Sequence, residues 1–253
     1  LAIARAGDDA GRKRRLAAGV VLNILLLAVF KYTGFAVHNA SAFVTLLGLR
    51  PLLVHQVILP LGISFYTFKA LTYLISVKRR EAEAQRNFID LALYIALFPQ
   101  IIAGPIDRYR SLAGQIGSRR VTFAGFASGV ERFALGLFKK VIISGPIAFV
   151  ADRIFTTPTG LLNTPMAWLG AACYTLQIYY DFSGYSDMAI GLGRMFGFEF
   201  TENFNFPYVS RSIREFWRRW HISLSTWLRD YLFLPLAYSA SRKLRRERYA
   251  GIR

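Results

Sequence analysis

Cysteine is almost missing from this chain: Cys173 is the one cysteine in 253 residues, and it lies inside an apolar run. A disulfide framework and a cysteine metal site are therefore both excluded. Histidine is nearly as scarce. His38 and His55 lie near the ends of apolar runs without carboxylate or cysteine companions, which leaves a metal site unsupported. Acidic residues are outnumbered, 15 Asp and Glu against 32 Lys and Arg, for a net charge of +17. In a soluble protein that excess would point to nucleic acid. Here the cations sit between apolar runs, as in Arg12-Lys13-Arg14-Arg15 and Lys78-Arg79-Arg80, the placement of cytoplasmic loops facing anionic lipid headgroups, so no nucleic-acid partner is expected. No cleavable signal peptide is evident, because the first apolar run is long for one and no small-residue cleavage site follows it. The chain begins at Leu1 and stops at Arg253 inside a basic stretch, and both ends read as cut from something longer.

What is abundant is apolar. Hydrophobic residues make up 54% of the chain and aromatic ones 15%, gathered into runs close to the length of a membrane span. Leu16 to Val37 is 22 residues, enough at ~1.5 Å per residue to cover a hydrocarbon layer of ~30 Å. A second run, Leu52 to Val77, ends in Lys78-Arg79-Arg80, so the basic flanks of the pair lie inside and the short loop between them outside. Phe88 to Gly104 is shorter, holds Asp90 and Pro99, and exits into Arg108, Arg110, Arg119 and Arg120. A full crossing would strand those cations outside, so a re-entrant element is expected. Thr122 to Val150 begins at the interface and enters the membrane past a boundary at Lys139-Lys140; Leu161 to Tyr180 is another span; Ala189 to Phe198 is a short glycine-rich segment. The resulting class is all-α, a polytopic membrane protein with re-entrant and interfacial amphipathic helices and residues 1–253 forming one truncated domain.

Ser212 to Pro235 carries the most regular pattern. Ile213, Phe216, Trp217, Trp220, Leu224, Trp227, Leu228 and Tyr231 recur at spacings of three and four, which predicts one continuous apolar helical face with Arg211, Arg214, Arg218, Ser225 and Arg229 opposite. His221 falls about 80° from Ile213 on that helix, between the apolar edge and the polar line. Arg218 and Ser225 would be its neighbours, and a cationic neighbour favours the neutral imidazole that can accept a proton. On helix physics alone, Arg214, Arg218 and Arg219 read first as headgroup anchors.

Asp181 and Asp187 follow an otherwise uncharged span, and carboxylates at membrane depth are costly enough to be paired or functional. Asp181 can pair with an arginine such as Arg218 or take a direct part in chemistry. Ser183 and Ser186 could join His221 and Asp181 in a hydrolase triad, but no G-x-S-x-G elbow surrounds either serine. Gly191, Gly193 and Gly197 miss the spacing of a dinucleotide loop and are better read as close helix packing.

Four segments in order resemble the membrane-bound O-acyltransferase family, in particular its bacterial branch of alginate O-acetyltransferases and teichoic-acid D-alanylation enzymes: Phe98-Pro99-Gln100-Ile101-Ile102-Ala103-Gly104-Pro105-Ile106, Tyr180-Asp181-Phe182-Ser183-Gly184-Tyr185-Ser186-Asp187-Met188-Ala189, Glu202-Asn203-Phe204-Asn205-Phe206-Pro207-Tyr208 and Glu215-Phe216-Trp217-Arg218-Arg219-Trp220-His221-Ile222-Ser223-Leu224-Ser225. The resemblance implies a multi-helix core in the bacterial cytoplasmic membrane. Through it an acyl group passes from a cytoplasmic thioester, acetyl-CoA or an acyl carrier protein, to an extracytoplasmic polysaccharide or a partner protein. Membrane lipids are the other partners, and no bound cofactor is implied. His221 matches the family's earlier, supporting histidine. The principal catalytic histidine is expected beyond residue 253, so the 253-residue chain is expected to be inactive by itself. Arg218, Asn205, Asp181 and Ser183 are expected to contact substrate or supply hydrogen-bond donors. A transporter, suggested by the short broken spans, and a noncatalytic scaffold with basic loops are the competing classes.

Overall fold

The computed structural model describes residues 1–50, 58–239 and 241. No strand occurs among them, and the chain divides into two compact units, Leu1–Ile102 with Arg108–Gly117 and Ala103–Asp107 with Ser118–Arg253.

The first unit is built on α1 (Asp9–Leu46) and α2 (Ile63–Arg79). Asp8 starts α1 by accepting the Gly11 amide at 3.1 Å, and Asp9 adds negative charge at the positive end of the helix dipole. None of the residues of α1 is buried, and Leu22 and Phe35 are about 70% exposed. The run expected to cross at Leu52 to Val77 is interrupted. Residues 51–57 lie outside the described part, Ile58 to Gly62 is not helical, and Gly62 takes a left-handed φ of 74° that ends any helix arriving from before it. α2 turns Lys69, Thr72 and Ser76 inward. Lys69, 1% exposed, donates to the Tyr94 carbonyl at 3.0 Å and to Gln100 Oε1 at 2.6 Å, and its ammonium lies over the Tyr94 ring. These bonds hold α3 (Phe88–Ile95) and the 3₁₀ turn Phe98–Gln100 against α2. α4 (Tyr109–Ser118) closes the unit by setting the Tyr109 ring edge-on to Tyr73 and Tyr94, at 4.9 and 5.1 Å.

In the second unit, α5 (Phe123–Phe138), a π-helical turn Lys139–Ser144 and α6 (Gly145–Phe155) form one continuous helix, which packs on α7 (Thr164–Met195). Glycine sets that contact. A Cβ on Gly136 would stand 2.5 Å from the Gly184 carbonyl, and one on Gly129 would stand 2.7 Å from the Gly191 carbonyl. Both pairs recur at seven-residue spacing, with the chain directions opposed, so the two backbones touch twice on the same face. The helix-packing reading holds for Gly191; Gly193 sits against the Phe200 ring and Gly197, at a left-handed φ of 75°, against the Arg120 carbonyl, neither of which belongs to a helix. Ala189 to Phe198, however, is not a separate segment: its first seven residues are the last turns of α7. Lys139 and Lys140, expected at a membrane boundary, stand inside the continuous helix and reach across to carboxylates of α7.

Two helices among the described residues are long and apolar enough to cross a membrane, Asp9–Leu46 and Phe123–Phe155. After α7 come the 3₁₀ turn Pro207–Val209, then α8 (Ile213–Arg219), α9 (Ile222–Trp227) and a π-helical turn Leu228–Phe233.

Candidate active site

The continuous helix expected from Ser212 to Pro235 is broken at His221. α8 starts as the sequence directs, with Ser212 Oγ accepting the Glu215 amide at 3.2 Å and Glu215 bridging to the Arg211 amide and the Arg219 guanidinium. The same contacts hold the Glu215 carboxyl below its ordinary range, the Arg211 amide most strongly. The helix then stops at Trp220, and His221 adopts a left-handed backbone with φ 42°. Such a conformation costs on the order of 1 kcal/mol or more for a residue with a Cβ, and it persists only where the surroundings impose it. Two main-chain bonds impose it here: the Asn205 amide donates to the Arg219 carbonyl at 2.9 Å, and the Ile222 amide donates to the Asn203 carbonyl at 2.9 Å. The segment after α7 thus grips the chain on both sides of His221.

The side chain of Asn203, 1% exposed, does the rest. Its Oδ1 stands 3.3 Å from the Ser223 amide nitrogen, 2.9 Å from Ser223 Oγ and 3.0 Å from His221 Nδ1, while its Nδ2 donates to Ser186 Oγ at 3.1 Å. A backbone N–H can only donate, so the Ser223 amide fixes which amide atom of Asn203 is oxygen. Nδ1 of His221 must then carry the proton, and Nε2 is left as the acceptor nitrogen. The Phe182 ring packs edge-on against the imidazole at 4.7 Å. Phe204, Tyr179, Tyr208 and Phe216 surround Trp220 beside it.

His221 lies outside the two long apolar helices. Burial alone pushes its imidazole down to about 4, so it is neutral at pH 7. The cause differs from the sequence expectation, in which Arg218 supplied the effect. With the helix broken at His221, Arg218 does not sit one turn below it; Arg218 is exposed on α8, where its charge acts on Glu215.

The other expected site residues scatter. Asp181 pairs with Lys140 rather than Arg218, because the π-helical turn directs Lys140 toward α7; both partners are about half exposed. Asp187 is the more buried carboxylate and receives Arg132 Nη2 at 2.7 Å and Lys139 at 2.6 Å, while Arg132 also holds Glu202 at 2.6 Å. Ser183 is 1% exposed, and its hydroxyl has no hydrogen-bond partner among the described residues. Asn205 joins the site through its main chain, and its side chain is exposed. No serine hydrolase triad is assembled among the described residues: Ser186 faces Asn203, Asp181 faces Lys140, and His221 donates its Nδ1 proton to Asn203 Oδ1. Asn203 is the residue that sequence reasoning passed over. The N-F-N-F alternation offered two asparagines, and nothing local says which one faces inward. No group of His, Cys, Asp and Glu among the described residues is placed to hold a metal.

The model of the membrane-bound O-acyltransferase family matches residues 19–250. Among curated proteins, the chain is 52% identical to a probable alginate O-acetylase of Pseudomonas syringae pv. tomato over 88% of this chain and 43% of that protein. It is 36% identical to a peptidoglycan O-acetyltransferase of Helicobacter pylori, over 96% of this chain and 50% of that protein. It is 32% identical to a teichoic acid D-alanyltransferase of Bacillus subtilis, over 75% of this chain and 48% of that protein. The chain thus spans half or less of the length of these relatives.

Proposed function

Because this chain belongs to the membrane-bound O-acyltransferase family, we propose that the protein of which it forms part moves an acyl group, acetyl in the first place, from a cytoplasmic thioester donor to an extracytoplasmic polysaccharide or to a partner protein that acylates one. Acetyl is favoured because the O-acetylases match at higher identity than the D-alanyltransferase. Acetyl-CoA and an acyl carrier protein are the donor classes, and the enzyme works in the bacterial cytoplasmic membrane as a multi-pass protein.

The observation that carries this reading is the convergence on His221 of three separate sequence segments, through Phe182 and Ser186, through Asn203, and through Trp220 and Ser223. Acyl transfer to a hydroxyl needs a base and oriented donors or acceptors in a dry pocket. An imidazole held at about 4 is a weak base near neutrality, so the geometry suits His221 to accepting a hydrogen bond at Nε2 and orienting a hydroxyl. The principal base is a histidine of the remaining part of the protein. Asn203 acts as a positioning residue, through the imidazole.

The test is acyl incorporation into cell-surface polymer by membranes carrying the full-length protein or its His221→Ala form. A loss of about 100-fold or more is expected, in the range for a removed catalytic donor or acceptor. Unchanged incorporation would remove His221 from the mechanism. If the full-length sequence carries no further histidine in a later apolar segment, the acyltransfer reading itself fails.

A further inference from the structure

A cavity of about 840 Å³ opens in the first unit, far from His221 in the sequence, where the start of the chain, the beginning of α1 and the loop after α2 converge. Arg5, Arg12, Arg80 and Arg86 line it, opposed by two carboxylates, Glu81 and Glu83. Glu81 is already engaged by Arg79 at 3.6 Å. Among the described residues, the guanidinium groups of Arg5, Arg80 and Arg86 have no hydrogen-bond or ion-pair partner, and that of Arg12 spends only Nε, on the Ala6 carbonyl at 3.4 Å. Two carboxylates leave four guanidinium groups around one volume only partly neutralised, and the guanidinium donors match phosphate oxygens in pairs.

We propose that this cavity is a binding site for a phosphate-bearing ligand. Its volume suits a nucleotide-sized group or a phospholipid headgroup. Four cations against two carboxylates leave an excess of two positive charges, which one phosphate dianion or two phosphodiesters neutralise. Nothing in the site demands a base or a sugar, so recognition is of the phosphate itself. Arg12 is the fixed member, held by its bond to Ala6, while Arg80 is placed by the left-handed turn that ends α2 at φ 61°. The soluble arm rests on the acyltransferase reading, since adenosine 3′,5′-bisphosphate is the nucleotide end of coenzyme A, while the lipid arm stands without it. A soluble phosphate ligand and a lipid headgroup share this chemistry, and the experiment separates them.

The full-length protein is purified into nanodiscs of phosphatidylcholine, and binding of adenosine 3′,5′-bisphosphate is measured by calorimetry with adenosine as the phosphate-free control. In parallel, nanodiscs containing phosphatidylglycerol are used, and retained lipid is counted by native mass spectrometry. One of the two probes is expected to bind saturably, weakening with salt and falling about tenfold or more for each of Arg80→Gln and Arg86→Gln. Bisphosphate binding assigns a soluble ligand, and retained phosphatidylglycerol assigns a lipid. Glu83→Gln removes opposing charge and is expected to tighten binding by about threefold; this variant keeps the test open if an arginine variant does not fold. No saturable binding of either probe, equal binding in the folded arginine variants, or weaker binding in Glu83→Gln overturns the proposal.

Discussion

The two ends of α7 are parts of one helix with opposite surroundings. In its first half Trp168, Leu169, Tyr174 and Leu176 are exposed, while in its second half Ser183, Gly184, Ser186, Asp187, Gly191 and Gly193 are buried. Large apolar side chains stay outside along the first half, while the second half buries small and polar residues together with Ala189 and Ile190. For a chain of a membrane-bound family the pattern agrees with lipid as a solvent: where lipid surrounds a helix, a leucine gains nothing by leaving the surface, and association is driven by close backbone approach and by satisfying polar groups. α1 shows the exposed half alone, with no buried residue over 38 positions.

The sharpest way to break this contrast is to fill the glycine contact. Gly136→Leu forces side-chain atoms onto the Gly184 carbonyl, which a Cβ would already meet at 2.5 Å. The full-length protein is expected to lose about tenfold or more of its monodisperse yield, read by size exclusion, as overpacking at a backbone contact has no side chain to displace. Replacing the polar hub comes next. Asn203→Ala strands the Ser223 amide and His221 Nδ1 together, and is expected to lower kcat about 10- to 100-fold with little change in KM. Asn203→Asp keeps an acceptor on Nδ1 and places a carboxylate there, so the imidazole is expected to titrate at higher pH and the pH–rate profile to move with it. A structural role alone would not shift that profile.

Stability should report the buried imidazole directly. His221 is lowered to about 4 in the folded protein from an ordinary 6.5, so the unfolded chain binds more protons between those values. Its contribution is therefore complete above pH 6.5 and is lost as pH falls toward 4, and thermal unfolding of His221→Gln should lack that component. The ion pairs make a finer comparison. Asp187→Asn leaves Arg132 and Lys139 short of a partner at a buried carboxylate and should lower the unfolding temperature measurably. Asp181→Asn breaks a half-exposed pair and should cost under about 1 kcal/mol. The smallest effect is expected at Leu22→Ala on α1, where 69% exposure leaves little packing to lose, checked by the same unfolding measurement.

Much of the fold was legible because it depends on local periodicity. Leu16 to Val37 lies within α1, and the spacing of Gly191 announced helix contact; of the span expected at Leu161 to Tyr180, Thr164 onward is the first part of α7, which is not among the two helices long and apolar enough to cross a membrane. The misreadings share a cause. Apolar periodicity at Ser212 to Pro235 continued through His221, but the helix did not, because the main-chain bonds from Asn203 and Asn205 hold that residue in a conformation no helix contains. Asp181 was rightly seen as needing a cation, while its partner Lys140 lies 41 positions away and is aimed by a π-helical turn that has no sequence signature.

The sequence by itself determined that this chain is helical and membrane-bound, that it belongs among the O-acyltransferases, and that His221 is its one promising imidazole. Those properties follow from composition, runs and ordered motifs, each a matter of residues close in the chain. Only the tertiary structure decided that Asn203 rather than Asn205 faces the histidine, that Nδ1 carries the proton and that burial keeps the ring neutral. Hydrogen-bond direction and desolvation depend on what is brought near from elsewhere in the chain, and 18 residues separate Asn203 from His221.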